Sequence, residues 1–168
     1  METIKKPRTL SQRFSDAVWA ELKPKGYKRN GNNFIYTGKE VKTIVNIQGG
    51  KYSSREDAYS MLNISYGRLD KKIKSINDAD FFHFRHDRYN DTELMAYNWG
   101  KAYPVTLDYT NDKEIADAIS ILQAIEPVFR CETLKDIEDK YKTKMIQGPT
   151  QEDFWEATFG RLSGTQKQ

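Results

Sequence analysis

Six side chains that could bind a ligand fall on segments that the sequence predicts to be neighbouring strands. They carry amide, hydroxyl, imidazole and guanidinium groups: Asn46, Gln48, Asn63, Ser65, His83 and Arg85. An arginine offers a planar fork to a carboxylate or a phosphate, and an amide both donates and accepts hydrogen bonds. If the strands pair in register, this face would bind such an anion or a partner's backbone. The simpler interpretation is a solvated polar face, which antiparallel sheets commonly have.

The strands themselves are predicted from alternation along residues 41–48 and 59–66. Side chains of successive strand residues point to opposite faces of a sheet. One set is mostly apolar and is predicted to build the core: Val41, Thr43, Val45, Ile47, Leu62, Ile64 and Tyr66. The polar candidates lie between them and would decorate the reverse face.

No motif in the sequence predicts a metal site, a cofactor or a catalytic residue. His83 and His86 are three residues apart, and on a strand that offset places side chains on opposite faces. Neither a Gly-x-Ser-x-Gly elbow nor a phosphate-binding glycine loop is present. An enzyme acting on a small polar or phosphorylated substrate stays an alternative. It would use His83 or His86 as base and Arg85 as anion anchor.

Composition places the chain among ordinary globular domains. The 168 residues include 12% aromatic residues, carry a net charge of +3 and contain a single cysteine, Cys131. This length predicts one domain, and one cysteine excludes an internal disulfide. Cys131 itself is predicted to be a small buried side chain. The N-terminus has no apolar stretch and no run is long enough to cross a membrane, so we expect a cytoplasmic protein without membrane contact.

A basic cluster offers a second alternative, weak binding of single-stranded nucleic acid. Arg68, Lys71, Lys72 and Lys74 lie close together, and Arg85 and Arg88 follow with aromatic residues between. Interleaved bases and aromatics suit phosphate contacts and base stacking. Three carboxylates dilute the cluster, namely Asp70, Asp78 and Asp80. A solvated loop is therefore favoured over nucleic-acid binding.

The remaining elements are predicted from periodicity and capping signals. A helix is expected from Ser11 to Leu22, a type I′ hairpin turn at Asn30-Gly31 and a type II′ turn at Gly38-Lys39. Asn111 should cap a second helix, and Thr133 should open a third. The second helix has a predicted apolar stripe of Ile115, Ile119, Leu122, Ile125 and Val128, and Pro127 should kink or end it.

These elements predict an α+β fold, an antiparallel sheet of about five strands with helices packed on one face. The predicted domain spans residues 9–146. It follows a flexible N-terminus of residues 1–8 and precedes a C-terminal helical segment and tail of residues 147–168.

Three segments resemble a family of uncharacterised bacterial proteins, the domain of unknown function DUF4304. They are an N-terminal helix running into Leu22–Asn32, the strand pair containing Val45–Tyr52 and Asn63–Gly67, and His83–Tyr89 with Trp99 further on. The likeness extends over roughly residues 10 to 130. It implies an α+β domain and supplies no catalytic residues.

The function predicted from the sequence is a non-enzymatic, cytoplasmic binding module that uses its polar sheet face. A protein partner is the expected ligand, and a bacterial immunity or antitoxin-like role is one form of this prediction. The mildly basic charge fits poorly with neutralising a basic nuclease toxin, which needs an acidic partner. The sequence leaves the oligomeric state open.

Overall fold

A computed structural model describes residues 6–49, 58–79, 84–86, 107–109 and 111–141. Within them, six antiparallel strands form one sheet: β1 Lys28–Asn30, β2 Asn33–Thr37, β3 Val41–Gly49, β4 Ala58–Arg68, β5 Phe84–His86 and β6 Leu107–Tyr109. The strand order is β1-β2-β3-β4-β5, and β6 also pairs with β4. The helices are α1 Leu10–Leu22, α2 Asp112–Phe129 and α3 Leu134–Tyr141, with short 3-10 helices at Lys23–Lys25 and Ile76–Asp78. The α+β prediction is confirmed.

The β1–β2 hairpin is present, with its turn one residue later than predicted. Asn30 pairs with Asn33, so the two central residues are Gly31 and Asn32. Gly31 has φ 60° and supplies the left-handed conformation that a tight hairpin turn requires. Because Asn30 is a paired strand residue, its side chain belongs to the sheet face.

The predicted type II′ turn at Gly38 is wrong. That turn needs a positive φ at its first central residue, and Gly38 lies outside the left-handed region. Glycine is required there for space, because a Cβ would lie 2.8 Å from the Cys131 carbonyl oxygen and 2.8 Å from that of Val41. Residues 131–132, just beyond α2, therefore pass close to the start of β3.

Helices α2 and α3 begin directly after the capping residues predicted from the sequence. The Asn111 side chain accepts a hydrogen bond from the Glu114 amide at 3.0 Å. Thr133 and Asp136 exchange side-chain-to-backbone bonds at the start of α3. Pro127 lies in the last turn of α2, which ends two residues later at Phe129.

The apolar stripe of α2 differs in part from the prediction. Ile115 and Leu122 are buried as expected, but Val128 is 44% exposed. Ala118, Glu126 and Phe129 complete the buried stripe. These positions recur at intervals of three or four residues, as required of one helix face. A charged residue therefore occupies a core position of α2.

One hydrophobic core lies between the helices and one face of the sheet, which we call the helical face. All three helices contribute to it, together with alternate sheet residues: Leu10, Phe14, Val18, Leu22, Ile115, Leu122, Ile137, Phe34, Val45, Ile64 and Tyr66 are among its members. Trp19 packs against this core and stacks on Phe34, with ring centroids 6.2 Å apart. Helix packing on one face is thus confirmed. Among the described helices, none is long and apolar enough to span a membrane.

The opposite face of the sheet, here called the polar face, is partly covered by the chain that follows β4. The 3-10 helix Ile76–Asp78 packs against β3 and β4. Ile44 on this face is fully buried, and Ile76 is only 7% exposed. The polar face therefore has a small apolar centre beneath this segment, and is not simply solvated.

Candidate binding face

Four asparagines form a continuous row across the polar face. Strand register pairs Asn30 with Asn33, Asn33 with Asn46, and Asn46 with Asn63, so that β1 to β4 each contribute one. Neighbouring strands lie about 4.8 Å apart, a spacing at which side-chain amides can reach one another. We call Asn30, Asn33, Asn46, Asn63 and the adjoining Gln48 the amide row.

Hydrogen bonds between side chains connect four members of the amide row: Asn33, Asn46, Asn63 and Gln48. The Asn46 amide nitrogen donates to the Asn33 side-chain oxygen at 3.0 Å. The Asn63 nitrogen donates to the side-chain oxygens of Asn46 at 3.1 Å and of Gln48 at 3.0 Å. Three of the predicted site residues, Asn46, Gln48 and Asn63, are therefore in direct contact, and their amides are held in fixed orientations.

Exposure rises along this hydrogen-bonded chain. Asn63 is 5% exposed and Ser65 is fully buried, beside Ile44 in the register of β3 and β4. Asn46 is half-buried, whereas Gln48 is exposed at the end of β3. Of the described candidates, Gln48 and Asn46 are accessible to a ligand, whereas Asn63 and Ser65 are buried, and Asn63 bonds both accessible side chains.

Arg85 lies in β5 at the register position next to Asn63. It therefore extends the amide row to a fifth strand on the same face. His86 pairs with Leu62, a core residue of the helical face, so its position is on the other face from Arg85. His83 lies outside the described residues. An enzyme that combined His86 as base with Arg85 as anion anchor would need both on one face, so the register does not favour it.

The segment of residues 68–79 is fastened to the polar face at three points. The Lys42 ammonium donates to the Lys71 carbonyl at 2.6 Å, and the Asn30 amide donates to the Lys74 carbonyl at 2.8 Å. The Ile76 amide donates to the Asn33 side-chain oxygen at 3.0 Å. We call this segment the basic loop. The sequence predicts a solvated loop here, and the segment contains one 3-10 turn.

Both carboxylates of the basic loop are engaged by their own neighbours. Asp70 accepts two hydrogen bonds from Arg68, which lower the pKa of its carboxyl group below the usual range. Asp78 accepts backbone hydrogen bonds from Lys74 and Ser75, and these lower its pKa likewise. Lys72 and Lys74 are exposed.

Sequence reasoning missed Asn30 and Asn33 as members of this face. The signal was available, because a two-residue turn at Gly31-Asn32 pairs Asn30 with Asn33 directly. The prediction places Asn30 in the turn, and a turn residue does not pair across the strands.

A second polar cluster lies on the helical face around Glu126, whose side chain is 1% exposed. The Tyr27 hydroxyl donates to Glu126 Oε1 at 3.1 Å, and Arg130 Nε lies 3.2 Å from the same oxygen. Lys25 Nζ is 3.6 Å from Oε2, which accepts no hydrogen bond from the described residues. Glu126 thus joins α2 to the chain between α1 and β1, and sequence analysis did not single it out.

Within the described ranges, no group of three or more potential ligand side chains could hold a metal ion. The single cysteine, Cys131, is buried with no exposed surface, as predicted.

The family resemblance is confirmed by comparison with known proteins. Residues 18–130 match the family model described as domain of unknown function (DUF4304), a span longer than half of the chain. The chain therefore belongs to this family. No curated protein and no solved structure matches it.

Proposed function

We propose that this DUF4304 protein is a non-enzymatic, cytoplasmic binding module whose polar face takes a protein partner. The observation that carries the proposal is the amide row, with the exposed Gln48 at its end and Arg85 in register beside Asn63. A bacterial immunity or antitoxin-like role is one form of this function.

The amide row runs against the local preferences of a sheet. Asparagine is depleted in strands, yet four consecutive strands each place one in the same row. Residues that break a local rule without a structural gain are concentrated at functional sites. Asn30 and Asn33 have a structural task because they hold the basic loop. Asn46, Asn63 and Gln48 hold each other, which supports a role in binding.

The arrangement also suits recognition of a protein surface. Side-chain amides present a donor and an acceptor side by side, as a peptide backbone does. The bonds from Asn63 to Asn46 and Gln48 fix these amides before a ligand arrives. Preorganised groups lose less side-chain entropy on binding, so more of the interaction energy appears as affinity.

The test is affinity capture from the native host, with Gln48→Ala/Arg85→Ala as the site variant. The matched control is Gln123→Ala/Arg13→Ala, which removes the same residue types from α2 and α1. We expect a stoichiometric protein partner with the wild type and the control, and its loss with the site variant. Titration of the purified partner should then show affinity reduced by about tenfold or more.

Two results would refute this proposal. One is a partner retained equally by both variants, which would place the interface elsewhere. The other is the absence of any stoichiometric partner, coupled with thermal stabilisation by a small metabolite, which would favour the small-molecule alternative.

A further inference from the structure

We propose that the partner of this protein presents an acidic protein segment, which binds a lysine-rich surface at one end of the polar face. The inference rests on the proposed function and gives the partner its chemistry. The surface, here called the basic surface, consists of Lys28, Lys42, Lys71, Lys72 and Lys74.

These residues are brought together by the fastening of the basic loop. Lys42 bonds the Lys71 carbonyl, which places the start of the loop beside β3. Asn30 bonds the Lys74 carbonyl, which places the loop's middle beside β1. Lys28 lies two residues before Asn30 on β1 and therefore on the same face.

The basic surface has an excess of positive charge. It holds five lysines, and the basic loop adds Arg68 and two carboxylates, Asp70 and Asp78. The whole chain has a net charge of only +3, so positive charge is concentrated at this end of the polar face. Among the described residues, no carboxylate lies within ion-pair distance of Lys28, Lys42, Lys72 or Lys74.

The two carboxylates are poorly placed to neutralise these lysines. Asp70 is held by both guanidinium nitrogens that face it, at 3.0 and 2.7 Å. Asp78 caps the 3-10 turn through the Lys74 and Ser75 amides. The charges of Lys71 and Lys74 help to lower the pKa of Asp78, but neither carboxylate forms an ion pair with Lys72 or Lys74 among the described residues.

The chemistry of the surface favours acidic protein over nucleic acid. Single-stranded nucleic acid is bound by stacking bases on aromatic rings, with cations along the backbone. Residues 68–79 contain no aromatic residue, and neither do the polar-face positions of β1, β2 and β3. Lysine ammonium groups instead act as mobile point charges that suit several carboxylates in turn. The amide row beside them provides further donors.

The test compares two defined probes, an oligoglutamate peptide and an oligothymidylate of equal charge, at physiological salt. The site variant is Lys72→Gln/Lys74→Gln, and the control with equal charge change is Lys6→Gln/Lys113→Gln, which alters the start of the chain and α2. We expect oligoglutamate to bind with preference over oligothymidylate. The site variant should weaken oligoglutamate binding about tenfold, and the control less than twofold.

Preference for oligothymidylate would overturn the inference in favour of nucleic acid. Equal losses in the two variants would also overturn it, because binding would then follow net charge alone. Absence of oligoglutamate binding has the same consequence, yet leaves the proposed function intact if a partner is still captured. Conversely, oligoglutamate binding without a captured protein partner would refute the proposed function alone.

Discussion

The two faces of this sheet carry two polar networks that differ in charge and in exposure. The amide row is neutral, runs from strand to strand and becomes exposed at Gln48. The Glu126 cluster is charged, joins α2 to the chain between α1 and β1, and has almost no exposure at its centre. Glu126 departs from the rule that a helix stripe buries apolar side chains, whereas a polar face is common in antiparallel sheets.

The difference follows from the hydrogen-bond donors and acceptors that an amide and a carboxylate each carry. An amide has a donor and an acceptor, so a row of amides can bond head to tail without other partners. An ionised carboxylate only accepts, and when buried it requires cations or hydroxyls from other elements. Glu126 contacts Lys25, Tyr27 and Arg130, so it joins α2 to the chain between α1 and β1. The amide row ends in an exposed group and suits a ligand.

Removing the carboxylate should have the largest effect on stability. Glu126→Ala leaves the Tyr27 hydroxyl without its acceptor, removes the counter-charge beside Arg130 and removes one of the two carboxylates beside Lys25. We expect the free energy of unfolding to fall by about 3 kcal/mol, measured by urea denaturation. Glu126→Gln, which keeps an acceptor for Tyr27, should lose less. If the alanine variant unfolds like the wild type, Glu126 does not stabilise the contact between α2 and the chain before β1.

The next largest effect on stability is expected at Gly38, where the chain that follows α2 passes close to β3. In Gly38→Ala the new Cβ would lie 2.8 Å from two carbonyl oxygens, so residues 131–132 must move. We expect the free energy of unfolding, measured by urea denaturation, to fall by about 2 kcal/mol. Gly49→Ala at the other end of β3 is the control, since nothing lies within 4 Å of its Cβ. Equal stabilities of the two variants would contradict the packing described here.

On the polar face, Asn63→Ala should cost less than the loss of Glu126. The substitution leaves the Asn46 and Gln48 oxygens without their donor, and both can be reached by water more easily than Glu126. We expect the free energy of unfolding to fall by about 1.5 kcal/mol. A double-mutant cycle with Asn46→Ala should show a coupling of about 1 kcal/mol. Strict additivity would mean that the row is not a network.

The smallest effect is the dependence of stability on pH, which should differ between variants of the two faces. Burial, and then the Glu126 carboxylate, raise the pKa of Tyr27 well above the usual value of 10.0. Above that pH the unfolded chain loses a proton that the folded protein keeps, so stability falls as the pH rises.

Tyr27→Phe should make this alkaline decline shallower by about 1.4 kcal/mol per pH unit. Unfolding free energies compared between about pH 9 and pH 11 test this. The hydrogen bond to Glu132 also raises the pKa of Tyr36, so part of the decline should persist in the variant. Asn63→Ala should leave the slope unchanged, and an identical slope in Tyr27→Phe would refute the expectation.

Much of the sheet could be predicted because its signal is local. Alternation in residues 41–48 and 59–66 assigns each side chain to a face, and the observed register of β3 and β4 agrees with it. Helix starts at Asn111 and Thr133 follow from side chains within three residues of the helix. Three of the six predicted site residues, Asn46, Gln48 and Asn63, were brought together correctly for the same reason.

The parts that could not be predicted depend on contacts distant in sequence. Glu126 follows the spacing of the buried stripe, four residues after Leu122 and three before Phe129. Charged residues are mostly exposed, however, and nothing local shows that Tyr27 lies opposite. The burial of Ser65 and the fastening of the basic loop depend likewise on how the chain folds back after β4.

Cys131 makes the junction between α2 and the sheet accessible to a chemical probe. Its thiol has no exposed surface and its amide donates to Thr43 Oγ1 at 3.1 Å, where the chain passes over β3. Because the chain has one cysteine, a thiol-reactive dye can label the protein only when this junction opens. The labelling rate under native conditions therefore reports how often the junction between α2 and the sheet opens, and no engineered cysteine is needed.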